Sequence, residues 1–166
     1  MVDAIEGLPT KVLDTRKTTP LLREFEKMAV KIGGGFNHRF GLFDMILIKD
    51  NHVDFAGGIA KAIKACHEYM QHKGLRLSIE IETRNLDEVN QVLEYGGVQR
   101  IMLDNFNFDT LRQAVNVINR KYETEASGGI TLQTIRRYAE CGVDFISVGA
   151  LTHHISSLDM SLKAVK

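Results

Sequence analysis

Residues 76–104, RLSIEIETRNLDEVNQVLEYGGVQRIMLD, hold one complete strand–helix–strand unit. In Ser78-Ile79-Glu80-Ile81-Glu82 apolar and acidic side chains alternate, so the isoleucines share one face of a strand and the glutamates the other. Leu86, Val89 and Leu93 then recur at helical spacing. Asn85 with Glu88 three residues on reads as a helix N-cap and its reciprocal glutamate. Gly96 stands where that helix must end in a conformation glycine tolerates best, and Arg100–Asp104 is the next strand.

The same alternation extends in both directions. Strands are expected at Lys11–Thr15, Met45–Lys49, Arg76–Glu82, Arg100–Asp104, Tyr122–Ala126 and Asp144–Gly149. Between them lie helical patterns: Leu21, Phe25, Met28 and Ile32; Ile59, Ile63, Cys66 and Met70; Leu111, Ala114, Val115 and Ile118; Leu132, Ile135 and Ala139. Gly74 and Gly142 mark two further helix ends. Strand–helix units of this length imply a parallel sheet covered by helices, either an open doubly wound sheet or a barrel. No G-x-G-x-x-G fingerprint follows a strand. Polar residues instead collect at strand C-termini: Arg16 and Lys17, Lys49, Glu80 and Glu82, Asp104, Ser127, Gly149. A barrel whose C-terminal rim forms the site has this distribution. The expected fold is therefore α/β: an incomplete, open TIM-like barrel of six parallel strands with surrounding helices, one domain over residues 1–166.

Composition narrows the partners. The 21 lysines and arginines balance the 21 aspartates and glutamates, which argues against a broad nucleic-acid footprint. No apolar run is long enough to cross a bilayer, and MVDAIEGLPTK lacks the features of a signal peptide. The expectation is a cytoplasmic protein with neither a nucleic-acid nor a membrane partner. Cys66 and Cys141 have no metal-type spacing and read as small core hydrophobes. His67 and His72, late on a helix, read as surface residues, and the adjacent His153-His154 pair is poorly arranged for zinc.

Several stretches could carry chemistry. If Ile79 and Ile81 pack under helices, Glu80 and Glu82 enter the barrel, where they need a metal, a cation or sugar hydroxyls to offset desolvation. An edge strand with one wet face would explain them equally. Gly33-Gly34-Gly35-Phe36-Asn37-His38-Arg39 is too glycine-rich for a regular element and presents His38 and Arg39, a pair suited to a carboxylate. A loop without that purpose is the alternative. Arg16 and Lys17 after one strand and Lys49 after another would converge on one rim as a polyanion pocket. Ser127-Gly128-Gly129 ahead of a helix expected from Thr131 can cradle a phosphate, with Gly149 beside it, although most such stretches are turns.

LDTRKTTPLLR (13–23), GGGFNHRFGLFDMILIKDNH (33–52), EIE (80–82), MLDN (102–105), EASGGI (125–130) and GVDFISVGALTH (142–153) together resemble the quinolinate phosphoribosyltransferase family across essentially the whole chain. The resemblance implies a magnesium-dependent reaction of quinolinate with phosphoribosyl pyrophosphate, giving nicotinate mononucleotide, pyrophosphate and carbon dioxide for NAD biosynthesis. By motif position, Arg16, His38 and Arg39 would grip the quinolinate carboxylates, and Lys17 and Lys49 would contact the pyrophosphate–substrate region. Glu82 and Asp104 would face the ribose hydroxyls and the magnesium ion; with Lys17 and Lys49 they form the implied catalytic set. Ser127, Gly128 and Gly149 would hold the 5′-phosphate, with His153 nearby.

The resemblance further implies a homo-oligomer, and an N-terminal sandwich domain that supplies an arginine to the neighbouring subunit's site. This sequence holds no counterpart of that domain, so a separate chain supplying it is one expectation. A barrel that binds phosphate and carboxylate ligands without turnover is another, and a paralogue acting on a related acid is a third.

Overall fold

The computed structural model describes residues 1–156 and 158–165. After a short 3-10 turn at Asp3–Ile5 the elements are β1 (Lys11–Leu13), α1 (Arg23–Ile32), β2 (Ile46–Ile48), α2 (Asp50–Ala56), α3 (Ile59–Lys73), β3 (Ile79–Thr83) and α4 (Leu86–Tyr95). They continue with β4 (Arg100–Asp104), α5 (Phe108–Ile118), β5 (Glu123–Ser127), α6 (Ile135–Ala139), β6 (Phe145–Ser147) and α7 (Ala150–His153).

All six strands lie in one parallel sheet in the order β1-β6-β5-β4-β3-β2. Every sequential pair from β2 to β6 is hydrogen-bonded, and β6 returns to β1. Only a β1–β2 pairing is missing, so the sheet is a barrel left open along one seam. The glycine-rich loop occupies that seam. Phe36 pairs with Leu13 on the free edge of β1, donating to Val12 O and accepting from Asp14 N. Arg39 reaches Met45 O beside β2 at 3.1 Å.

Ile79, Ile81, Ile101, Leu103 and Ile146 of the central strands pack with Ile63, Val89, Val92, Leu111, Ala114 and Ile135 of the helices in one buried cluster. Each such side chain contributes about 1.5–3 kcal/mol by leaving water. Cys66 and Cys141 are free thiols; Cys141 is in this cluster and Cys66 packs against it. Asn85 caps α4 by accepting from Glu88 N at 2.9 Å, but the Glu88 carboxylate accepts from Arg84 N, one residue outside the expected box.

Three sequence expectations need correction. The stripe Leu21, Phe25, Met28 and Ile32 does not face the barrel. Ile32 is 79% exposed, whereas Lys27 is 2% exposed. Periodicity finds an apolar face without saying what it meets, and here ion partners draw the polar face of α1 inward. Thr131–Thr134 form a turn, not the first turn of a helix, with the Thr131 amide on Thr134 Oγ1; α6 starts only at Ile135 and Leu132 is exposed. Asp50-Asn51-His52, expected only as polar groups after the second strand, begin α2, opened by a 3.1 Å bond from Lys49 N to His52 Nδ1 and closed by Gly57 in the left-handed region.

Candidate active site

Parallel strands bring their C-terminal ends to one rim. Asp104 stands directly opposite Ser127 across β4 and β5. Glu82, near the end of β3, is 8% exposed, and its Oε2 lies 3.8 Å from Lys49 Nζ. Burial first, and the Asp104 charge second, raise the Glu82 pKa, with Lys49 opposing. Glu82 and Asp104 thus form an acidic pair that a cation would relieve. Their hard oxygen donors suit magnesium. Asn105, in the left-handed region at φ 56°, donates from Nδ2 to Asp104 Oδ2 at 2.6 Å and fixes that carboxylate's orientation.

Arg16 and Arg39 form the cationic part of the rim. Arg39 is half-buried; desolvation, then the charge of Arg16, hold its pKa below the usual guanidinium value. Arg16 Nε is buried and has no hydrogen-bond partner among the described residues. An unpaired buried donor costs roughly 1–3 kcal/mol unless a ligand fills it.

His38 does not sit on the rim beside Arg39. Its ring turns down into the barrel, 2.9 Å from Glu80 Oε2 and 3.4 Å from Glu125 Oε2, both carboxylates fully buried. Arg100 Nη1 reaches Glu125 at 3.0 Å from the next strand. Burial opposes an imidazolium, but the adjacent Glu125 and Glu80 carboxylates raise the His38 pKa to about 9. The Arg39 amide works the other way: it donates to His38 Nδ1 at 2.8 Å, which only an unprotonated Nδ1 accepts. Charge balance with Arg100 needs one proton more than a neutral ring carries. The cluster therefore holds one proton shared among His38, Glu80 and Glu125, and burial raises the Glu80 pKa as well.

Among the described residues, His38, Glu80 and Glu125 are also the one group of three metal-ligand side chains with donor atoms within 4.8 Å of one another. Arg100 already neutralises Glu125 there, and one shared proton completes the balance, so the cluster is stable in charge without an ion.

At the end of β5, Gly128 has φ 103°, and a Cβ there would collide with Asn105 Oδ1. A Cβ on Gly149 would come within 2.7 Å of His153 Nε2 and 3.5 Å of the Lys17 side chain. Thr152 Oγ1 donates to Lys17 O at 2.6 Å, tying α7 to the segment after β1. Lys17, Gly149 and His153 therefore adjoin. Ser127 and Gly128 lie across the β4–β5 end beside Asp104 and Asn105.

The glycines of residues 33–35 act differently from the expectation of close approach to a ligand. A Cβ at Gly35 would meet Val30 Cγ1 at 2.8 Å and Val12 O at 3.5 Å, so that glycine lets the loop pack on α1 and β1. Sequence reasoning also passed over Arg23, Lys27, Asn37, Arg100 and Glu125. For Glu125 a signal existed: Glu123 and Glu125 alternate with Thr124 and Ala126, as the glutamates of β3 alternate with isoleucines.

This arrangement places the protein among open α/β barrels whose polar strand ends gather at the C-terminal rim. Residues 1–163 match the family described as "Quinolinate phosphoribosyl transferase, C-terminal domain", and the chain belongs to that family. A chloroplastic nicotinate-nucleotide pyrophosphorylase [carboxylating] of Arabidopsis thaliana is 51% identical, over 98% of this chain and 50% of its own length. A probable nicotinate-nucleotide pyrophosphorylase of Bacillus subtilis is 45% identical, over 97% of this chain and 54% of its own. The structure of the nicotinate-nucleotide pyrophosphorylase from Francisella tularensis superposes with a TM-score of 0.90 at 46% identity, covering 96% of this chain and 55% of that one. The chain spans about half the length of the relatives it matches. Among the described residues no helix is long and apolar enough to cross a membrane.

Proposed function

We propose that this chain is the catalytic barrel of an enzyme that joins quinolinate to phosphoribosyl pyrophosphate, releasing pyrophosphate and carbon dioxide and leaving nicotinate mononucleotide. The observation that carries this reading is the pair Arg16 and Arg39, the Arg16 charge lying close enough to lower the Arg39 pKa, with a buried donor of Arg16 unpaired among the described residues. Two adjacent forks of N–H donors match a ligand with two neighbouring carboxylates. At the ends of β5 and β6, Ser127, Gly128 and Gly149 would take the 5′-phosphate, with His153 and the Lys17 side chain beside Gly149.

Glu82 of β3 and Asp104 of β4 would face the ribose hydroxyls and would hold magnesium. When bound, that ion neutralises charge on the pyrophosphate. The pyridine nitrogen lone pair forms a bond to the ribose anomeric carbon as the carbon–oxygen bond to pyrophosphate breaks, and the bonding electrons leave with pyrophosphate. Buried carboxylates stabilise the positive charge that develops on the ribose, and Lys49, with Lys17, meets the departing negative charge. The 2-carboxylate then leaves as carbon dioxide, and the ring carbon takes up a proton. His38 contributes from beneath: its backbone and ring fix where Arg39 emerges. In this proposal the enzyme is a cytoplasmic homo-oligomer, although the Arabidopsis relative is named chloroplastic.

The test is calorimetric titration with quinolinate, with and without phosphoribosyl pyrophosphate and magnesium, followed by an assay for nicotinate mononucleotide. Binding of both ligands with product formation is expected when any missing portion of the enzyme is supplied. Binding without product under that condition would reduce the chain to a ligand-binding barrel, and absence of quinolinate binding would remove the reading.

A further inference from the structure

We propose that Arg23 and Lys27, one turn apart on α1, are positioning residues that set the spacing of Arg16 and Arg39; the claim rests on the dicarboxylate reading of those two arginines. The segment after β1 and the loop in the seam run side by side, and the contacts between them form three steps. At the base Leu13 pairs with Phe36 through the backbone. One step up, Lys27 Nζ donates to Asp14 Oδ1 at 2.5 Å and to His38 O at 2.9 Å. Asp14 Oδ1 also accepts from His38 N at 2.9 Å, and Asn37 Nδ2 bonds both Asp14 Oδ2 and Lys27 O. At the top Arg23 donates from Nη2 to Arg16 O, from Nε to Thr18 Oγ1 and from Nη1 to Phe40 O. Both side chains of α1 thus join the Arg16 segment to the Arg39 segment, and each binds next to or within two residues of an arginine.

Stability alone does not account for this choice. Replacing a buried ion pair with apolar residues of similar volume is often neutral or stabilising, whereas a fixed pair specifies one geometry. The Lys27 ammonium and the Asp14 carboxylate are almost wholly buried. The same helix carries Phe25, Met28 and Ile32, yet turns them outward. An arginine fork set for two carboxylates tolerates little displacement, which gives the inward-facing cations a purpose that apolar residues there would not serve.

The experiment compares the full chain with Lys27→Met and Arg23→Met, each checked for folding by circular dichroism, in calorimetric titrations with quinolinate and, separately, inorganic pyrophosphate. Quinolinate affinity is expected to fall about tenfold or more in both variants while pyrophosphate affinity stays within about twofold. Unchanged quinolinate affinity in a folded variant, or equal weakening of both ligands, would overturn the proposal. Should Lys27→Met not fold, Arg23→Met, at a half-exposed position, decides alone. If the unmodified chain binds pyrophosphate but no quinolinate, the dicarboxylate reading falls and the geometric claim is decided by nuclear magnetic resonance. The Nε–H signals of Arg16 and Arg39 must then shift in Arg23→Met, and unshifted signals would end it.

Discussion

Glu80 lies 2.9 Å from the ring of His38 in the closed interior of the barrel, with no water-exposed oxygen. The contact is one of charge and proximity, since neither Glu80 oxygen has a well-aligned hydrogen-bond donor. Glu82, on the same face two residues further along, meets the half-exposed Lys49 instead. One strand therefore supplies a structural carboxylate below and a rim carboxylate above.

The proton shared by His38, Glu80 and Glu125 makes stability depend on pH with a definite sign. Its folded-state pKa, about 9 when referred to His38, lies above the unfolded value of 6.5. The folded chain thus holds a proton that the unfolded chain has lost, and stability falls as pH rises. The contribution is fully present below pH ~6.5 and is lost as pH passes through ~9, a loss on the order of a few kcal/mol. In Glu80→Gln the remaining Glu125 is balanced by Arg100 without that proton. Denaturant unfolding at pH 6, 7.5 and 9 should show a steep decline for the unmodified chain and a nearly flat profile for the variant. Parallel profiles would place the proton elsewhere.

Magnesium dependence should centre on Glu82 and Asp104. In Glu82→Gln or Asp104→Asn the tightening of phosphoribosyl pyrophosphate binding by magnesium should shrink by about tenfold, the scale of losing a carboxylate that faces the ion. Affinity without magnesium should change little. Because burial and Asp104 raise the Glu82 pKa, the magnesium effect should fade on acidification at a higher pH than an ordinary carboxylate would give. Titrations with and without the metal between pH 5 and 8 measure both.

The barrel was legible because its central strands follow a period of two and its helices a period near 3.6, and both signals survive wherever one face is buried. β4 was predicted to the residue. That the barrel stays open was legible from a count of six strands; where the seam falls was not, because no local pattern encodes that β1 and β2 are the two edges. Rim residues were found because parallel strands end together, so polar strand ends imply one another. The interior cluster was harder, since Glu80, Glu125, Arg100 and His38 come from four separate stretches that meet only after folding. Arg23 and Lys27 were missed for the opposite reason: amphipathic spacing assigns charged positions to solvent, and the contacts of α1 reverse that assignment.

That reversal has a measurable consequence. Had the Ile32 stripe been buried, Ile32→Ser would cost on the order of 2–5 kcal/mol, as large-to-small core changes do. With Ile32 exposed, the change should stay within about 0.5 kcal/mol. Ile63→Ala on α3, where the side chain is completely buried, should carry the full core penalty. Chemical denaturation of the two variants checks the orientation of α1 directly.

Gly128 and Gly149 border the same proposed phosphate site but constrain it in different ways. Gly128 adopts φ 103°, which side chains rarely tolerate, and a Cβ would strike the Asn105 amide and backbone. Gly128→Ala should therefore destabilise the fold by about 1–3 kcal/mol and disturb Asp104 through Asn105. Gly149 has an ordinary φ of −61°, and the atoms a Cβ would meet are the ring of His153 and the Lys17 chain, which can move. Gly149→Ala should unfold within about 1 kcal/mol of the unmodified chain. It should still weaken inorganic phosphate binding about tenfold by pushing away the Lys17 and His153 side chains. Paired unfolding and phosphate titrations separate the cases: a stable Gly149→Ala protein with undiminished phosphate affinity would remove Lys17 and His153 from the phosphate site.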